Sequence, residues 1–124
     1  MGATLSGLVL DNVLFENCRF DYATFAGVRT AGPVAFAGCG FTEAVFGTCD
    51  LGKAAFEACA LRHTEFGPGR YQGLDLRGND LTELRGVAGL AKVVIDRGQL
   101  AELAVALMGE LEVTFRDELP ASGK

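Results

Sequence analysis

Four cysteines and one histidine are the side chains of this chain best suited to metal or nucleophilic chemistry: Cys18, Cys39, Cys49, Cys59 and His63. Thiolates and an imidazole converging on one point would hold zinc, and two thiols at the right Cα separation could close a disulfide. A histidine beside a serine or cysteine could activate a nucleophile. Asp11, Glu16 and Asp21 offer carboxylates for acid-base work, which needs two groups aimed at one substrate. The stretch GPGRYQG, residues 67–73, has the glycine content of a phosphate loop but lacks the terminal Gly-Lys-Ser/Thr.

The elements that must position these residues follow a period of five, which fits neither a helix nor a strand. One lattice runs through Leu5, Leu10, Phe15, Phe20, Phe25 and Thr30. After one extra residue it continues through Phe36, Phe41, Phe46, Leu51, Phe56, Leu61, Phe66, Tyr71, Leu76 and Leu81. Only Thr30 is not large and apolar, and the slip at residues 31–33 suits a bulged corner whose imperfect core Thr30 tolerates. A second lattice, two residues earlier in each unit, holds mostly small or apolar residues, including all four cysteines. The remaining positions carry Asp, Glu, Asn, Arg, Thr and Gly, residues that prefer solvent or turns. Inward pairs followed by a bend every five residues describe a square coil, with backbone hydrogen bonds between stacked coils at the usual strand spacing.

The units CRFDY, ATFAG, CGFTE, CDLGK, ACALR and GLDLRGNDL resemble the pentapeptide-repeat proteins, with Phe often replacing Leu at the centre. The resemblance covers residues 3–83. It implies an all-β solenoid, a right-handed quadrilateral β-helix of about four coils, with Phe15, Phe20, Phe25, Phe36, Phe41, Phe46, Phe56 and Phe66 in the core ladders.

In such a coil Cys18, Cys39 and Cys59 form a column on one side, with sulfurs side by side instead of converging, so neither a metal nor a disulfide is expected. Buried free thiols in small slots are the expectation. His63 falls on an outside corner, Asp11, Glu16 and Asp21 spread around three sides, and residues 67–73 stay in repeat register. No enzyme, no cofactor and no metal are expected.

The formal net charge is -5, and the acids and bases are mixed along the chain, which argues against direct binding to nucleic-acid phosphates. No segment has the apolar length of a membrane helix and no basic start precedes a hydrophobic run, so a cytoplasmic protein is expected. MGATLS matches the myristoylation pattern at Gly2 and Ser6, but no basic cluster follows to make a second anchor. Ala3 and Leu5 already sit on the lattices, so the first coil is expected either to continue from upstream repeats or to have its open end covered by another molecule.

Residues 84–124 leave the lattice and form a cap. They comprise turns, a short strand at 92–95, a helix at about 97–109 opened by an Asp96/Gln99 capping box, and an edge strand at about 111–115. Leu100, Leu103, Ala104, Leu107 and Met108 make an apolar stripe at helical spacing, with Glu102 and Glu110 off it. Leu100, Leu103, Leu107 and Met108 are the candidate dimer interface, because DNA-mimicking members of the pentapeptide-repeat family join two rods through the C-terminal region. That resemblance implies a homodimer that binds DNA gyrase or another type II topoisomerase. Its outward acids Asp11, Glu16, Asp21, Asp50, Glu57, Asp75 and Asp80 would meet a basic groove. The alternative is a structural or adaptor module with no DNA mimicry.

Overall fold

A left-handed corner closes most of the five-residue units. In the computed structural model, which describes residues 2–111, the residue two places after a lattice centre repeatedly holds φ between 51 and 94°, as at Asn12, Asn17, Gly27, Gly38, Ala58 and Gly73. That region favours Gly and Asn because a Cβ otherwise crowds the following carbonyl. Between corners run short strands: β1 (Thr4–Ser6), β2 (Val9–Leu10), β3 (Val13–Glu16), β4 (Thr24–Ala26), β5 (Arg29–Thr30), β6 (Val34–Ala37), β7 (Val45–Gly47), β8 (Cys49–Asp50), β9 (Ala54–Glu57), β10 (Glu65–Phe66) and β11 (Gly69–Arg70).

These strands stack into three parallel sheets, β1-β4-β7-β10, β2-β5-β8-β11 and β3-β6-β9. Isolated parallel bridges join Arg19 to Gly40 and Gly40 to Ala60 between them. Three steps carry the first sheet through Thr4, Thr24, Val45 and Glu65, which makes the chain an all-β solenoid of about three turns with one C-terminal helix. Each step that straddles residues 31–33 is one residue longer, as in Val13 to Val34 against Val34 to Ala54. The extra residue is absorbed where Ala31 and Gly32 both donate their N–H to the Leu10 carbonyl, at 2.7 and 3.5 Å. A Cβ on Gly32 would stand 1.9 Å from Asp11 Oδ1, so a larger residue there would have to displace the Asp11 carboxylate. Thr30 does more than tolerate the corner. Its buried hydroxyl donates to the Asp50 carbonyl and accepts the Lys53 N–H, both at 3.1 Å.

Strand register stacks the phenylalanines. Phe25, Phe46 and Phe66 follow one another with ring centroids 4.5 and 5.1 Å apart and near-parallel planes. Phe15 stacks on Phe36 at 4.9 Å, and Phe20 on Phe41 at 5.3 Å. Every centre from Phe25 to Leu81 is buried, whereas Leu5, Leu10, Phe15 and Phe20 in the first coil are half-buried. Fully burying one such ring contributes about 2–3 kcal/mol, and each good ring pair adds about 1 kcal/mol.

The inner lattice performs a second task. Its polar side chains donate to the carbonyl of a centre residue one coil earlier: Cys39 to Phe15, Cys49 to Phe25, Cys59 to Phe36, Thr64 to Phe41 and Asn79 to Phe56. Buried polar groups persist where they find such partners. Gly69 departs from the expected inward position and is exposed, and a Cβ there would meet the Cys49 carbonyl oxygen at 2.4 Å.

Past the last coil, 3-10 turns span Val87–Gly89 and Arg97–Gln99, and helix α1 spans Leu100–Leu111. The run 92–95 contributes a single parallel bridge, Val94 to Asp75, instead of a strand. The expected edge strand at 111–115 lies outside the described residues except for Leu111, which ends α1. Gln99 fixes the helix start. Its Oε1 accepts the Asp96 N–H at 2.7 Å, and its Nε2 donates to the Leu76 and Asn79 carbonyls, both at 2.7 Å.

Glu102 and Glu110, which the helical spacing placed off the apolar stripe, accept backbone donors of the last coil and of the turn that follows it. Glu102 Oε1 accepts the Leu81 N–H at 3.0 Å, and Glu110 Oε1 accepts the Val87 N–H at 2.7 Å. A solenoid end exposes such backbone donors, and the helix supplies acceptors for them. No helix among the described residues is long and apolar enough to cross a membrane.

Candidate functional site

The seven outward acids fall into two structural kinds. Asp50, Asp75 and Asp80 precede a centre leucine, and each accepts the N–H two residues on, from Gly52, Arg77 and Thr82 at 3.1, 3.0 and 2.9 Å. These are turn-closing aspartates. The motif Asp-Leu-X at residues 50–52, 75–77 and 80–82 was the sequence signal for them. The second kind follows a centre. Asp11, Glu16 and Glu57 are exposed, while Asp21 is half-buried with its Oδ1 accepting the Thr42 N–H at 2.9 Å.

Charge is sorted by side. Glu57, Asp75 and Asp96 share the walls of a shallow groove of about 450 Å³ with Arg77, and Glu16 ends β3 on the same sheet. Arg77 is committed to Asp75, with Nη2 2.8 Å from Oδ2 and Nε 3.0 Å from Oδ1. Hydrogen bonding from Arg77 holds Asp75 below the usual carboxylate range, and hydrogen bonding from Thr82 does the same for Asp80.

On the adjoining side lie Asp21, Glu43, Asp80 and Glu83, with Arg19 3.7 Å from Asp21 and Arg62 3.1 Å from Glu83. His63 stands on a left-handed corner with Nε2 3.6 Å from the same Glu83 oxygen. The sheet β2-β5-β8-β11 is different, because there Arg29 and Arg70 flank Asp50 in register. Arg29 and Arg70 share one repeat register in the sequence, each just before a centre residue, whereas Lys53 follows a centre and joins them only through the stacking of the coils.

The thiols are structural donors. Cys39, Cys49 and Cys59 are buried and Cys18 is half-buried, and burial raises the first three above the usual thiol range. Among the described residues no group of three or more His, Cys, Asp or Glu side chains could hold a metal ion. Residues 67–73 form no phosphate loop. Gly69 and Arg70 are strand β11, and the Tyr71 hydroxyl donates to the Gly67 carbonyl.

On α1, Leu103 packs against the core and Leu107 and Met108 are half-buried, leaving Leu100, Val105 and Leu111 as its exposed large apolar side chains. The four candidate interface residues therefore do not form one outward stripe.

No family model and no curated protein matches the chain. Two trypsin-treated variants of QnrB1, a plasmid-mediated fluoroquinolone resistance protein, align over 91% and 90% of this chain at 15% identity, covering 100% and 99% of their own length. Their TM-scores of 0.19 and 0.17 are too low to carry an argument, and the fold rests on the strand pairing above.

Proposed function

We propose that this chain is a non-enzymatic protein-binding member of the pentapeptide-repeat family, a right-handed quadrilateral β-helix of about four coils over residues 1–83 with a cap over 84–124. The carrying observation is the grouping of Glu57, Asp75 and Asp96 around one shallow groove, with Asp21, Asp80 and Glu83 on the next side. Ordered carboxylates on a rigid rod present a basic surface with the charge of a duplex. The partner in this reading is a type II topoisomerase such as DNA gyrase, which the acids engage by electrostatic complementarity.

A cytoplasmic homodimer joined through α1 doubles the rod, with Leu100 at the contact and Leu103, Leu107 and Met108 serving mainly to seat the helix. Gyrase-catalysed supercoiling, measured with excess protein, is expected to fall, and more weakly for Glu16→Lys/Glu57→Lys. Unchanged supercoiling overturns the topoisomerase reading. The adaptor reading without DNA mimicry is favoured by one observation: Arg77 and Arg62 neutralise acids on the very sides that would imitate DNA. A protein partner that binds the Glu16→Lys/Glu57→Lys variant undiminished would establish it.

A further inference from the structure

The side carrying β2, β5, β8 and β11 holds a groove of about 750 Å³, the largest of those described above, with Lys53, Arg70 and Lys92 on its walls. A second depression continues it through Arg70 to Arg29. Among the described residues none of these four cations has a carboxylate within 4.0 Å, since the ion pairs involve Arg19, Arg62, His63 and Arg77. Asp50 is the acid between them, and its Oδ1 already accepts the Gly52 N–H. Lys53 Nζ donates to the Ala31 carbonyl at 3.0 Å and stays exposed. In a chain of net charge -5, four cations against Asp50 and, beyond Arg29 at the end of β2, Asp11 are a local inversion of charge.

The floor of the groove is built for close approach. A Cβ on Gly52 would meet the Gln72 carbonyl oxygen at 2.8 Å, and one on Gly69 would meet the Cys49 carbonyl oxygen at 2.4 Å. The rungs therefore lie bare while long cationic side chains rise beside them. Arg29, Asp50 and Arg70 occupy successive strands. Lys92 stands one level further on, where its carbonyl accepts the Gly73 N–H. At about 4.8 Å per level the cations run roughly 14 Å along the rod axis. An extended peptide covers that length in about four residues.

We infer that this side is a binding site for an acidic peptide segment of a partner protein, laid along the rod axis with its Asp and Glu side chains against Arg29, Lys53, Arg70 and Lys92. A row of cations selects an elongated polyanion over a compact one, and Glu16 and Glu57 on the adjoining β3-β6-β9 side repel the longer reach of a nucleic acid. The inference is independent of the acidic-side reading, because it concerns a different surface and a ligand of opposite charge.

The test is fluorescence anisotropy of a fluorescein-labelled hexaglutamate peptide at about 50 mM salt, where exposed charges are least screened. Saturable one-to-one binding is expected, weakened tenfold or more by Arg70→Glu and by Lys53→Gln/Lys92→Gln. Arg62→Glu, which makes the same charge change on another side, should leave it within twofold. Circular dichroism verifies that each variant is folded.

Equal weakening by Arg62→Glu, or no saturable binding up to about 1 mM peptide, would overturn the inference. Saturable binding of tripolyphosphate where the peptide fails would replace it with a compact phosphate ligand. Self-association lost in Arg70→Glu, with no peptide binding, would replace it with a second copy.

Discussion

Asn79 ties the last coils together, and its replacement tests how the inner lattice works. The side chain is 4% exposed. Its Oδ1 accepts the Cys59 N–H at 2.8 Å, and its Nδ2 donates to the Phe56 and Leu76 carbonyls at 2.7 and 3.0 Å. Asn79→Ala leaves the Cys59 N–H without an acceptor, which costs about 1–3 kcal/mol, and a small cavity adds about 1 kcal/mol. Together these amount to about 3 kcal/mol, a fall in Tm on the order of 10 °C for a chain of this size.

Asn79→Asp keeps the acceptor for Cys59 but turns a second oxygen toward two carbonyls. At pH 7 it should be less stable than Asn79→Ala. Those carbonyls favour the protonated acid, so its folded pKa lies above the unfolded value near about 3.9. The stability of that variant is then greatest below that value and is lost as pH rises through the folded pKa. Urea unfolding of wild type, Asn79→Ala and Asn79→Asp at several pH values between about 4 and 7 measures all of this. An Asn79→Ala within about 0.5 kcal/mol of wild type, or a pH-independent deficit in Asn79→Asp, refutes the reasoning.

Three further outcomes follow from the same geometry. In Tyr22→Phe the remaining tyrosine is Tyr71, whose ionisation burial pushes up to about 12; its absorbance change should appear near that pH, and stability should fall by up to about 2–3 kcal/mol as pH rises from about 10 to 12, where the unfolded chain has already released the proton. Titration with a thiol reagent should modify Cys18 readily and Cys39, Cys49 and Cys59 only on unfolding, because the latter three are buried. Thr48 is an exposed β-branched residue at φ 56°; Thr48→Gly should raise stability by about 0.5–1 kcal/mol in urea unfolding, as relief of left-handed strain exceeds the added freedom of the unfolded chain.

The solenoid was legible because Phe25, Phe46 and Phe66 recur with the pairing step itself, and a core ladder writes its register directly into the sequence. The slip was legible as an extra residue at 31–33, but the paired donation of the Ala31 and Gly32 N–H groups to the Leu10 carbonyl depends on coil stacking, which no local pattern reports. The cysteines' burial followed from the lattice, whereas their hydrogen bonds to Phe15, Phe25 and Phe36 depend on coil stacking. Helical spacing located the apolar stripe of α1 and set Glu102 and Glu110 off it, but their bonds to the Leu81 and Val87 N–H groups depend on how the helix docks on the last coil and the turn after it.

The acids were visible one by one. Their segregation by side, and the cations opposite, emerged only when residues about twenty apart were laid on common rungs.

The central functional claim is most directly tested by competition. Binding of the intact chain to purified DNA gyrase is followed by anisotropy while duplex DNA is added. The account predicts that DNA displaces the chain and that Glu16→Lys/Glu57→Lys binds at least tenfold more weakly. A chain that binds gyrase undisturbed by saturating duplex, or that does not bind it at all, contradicts the DNA-mimic reading.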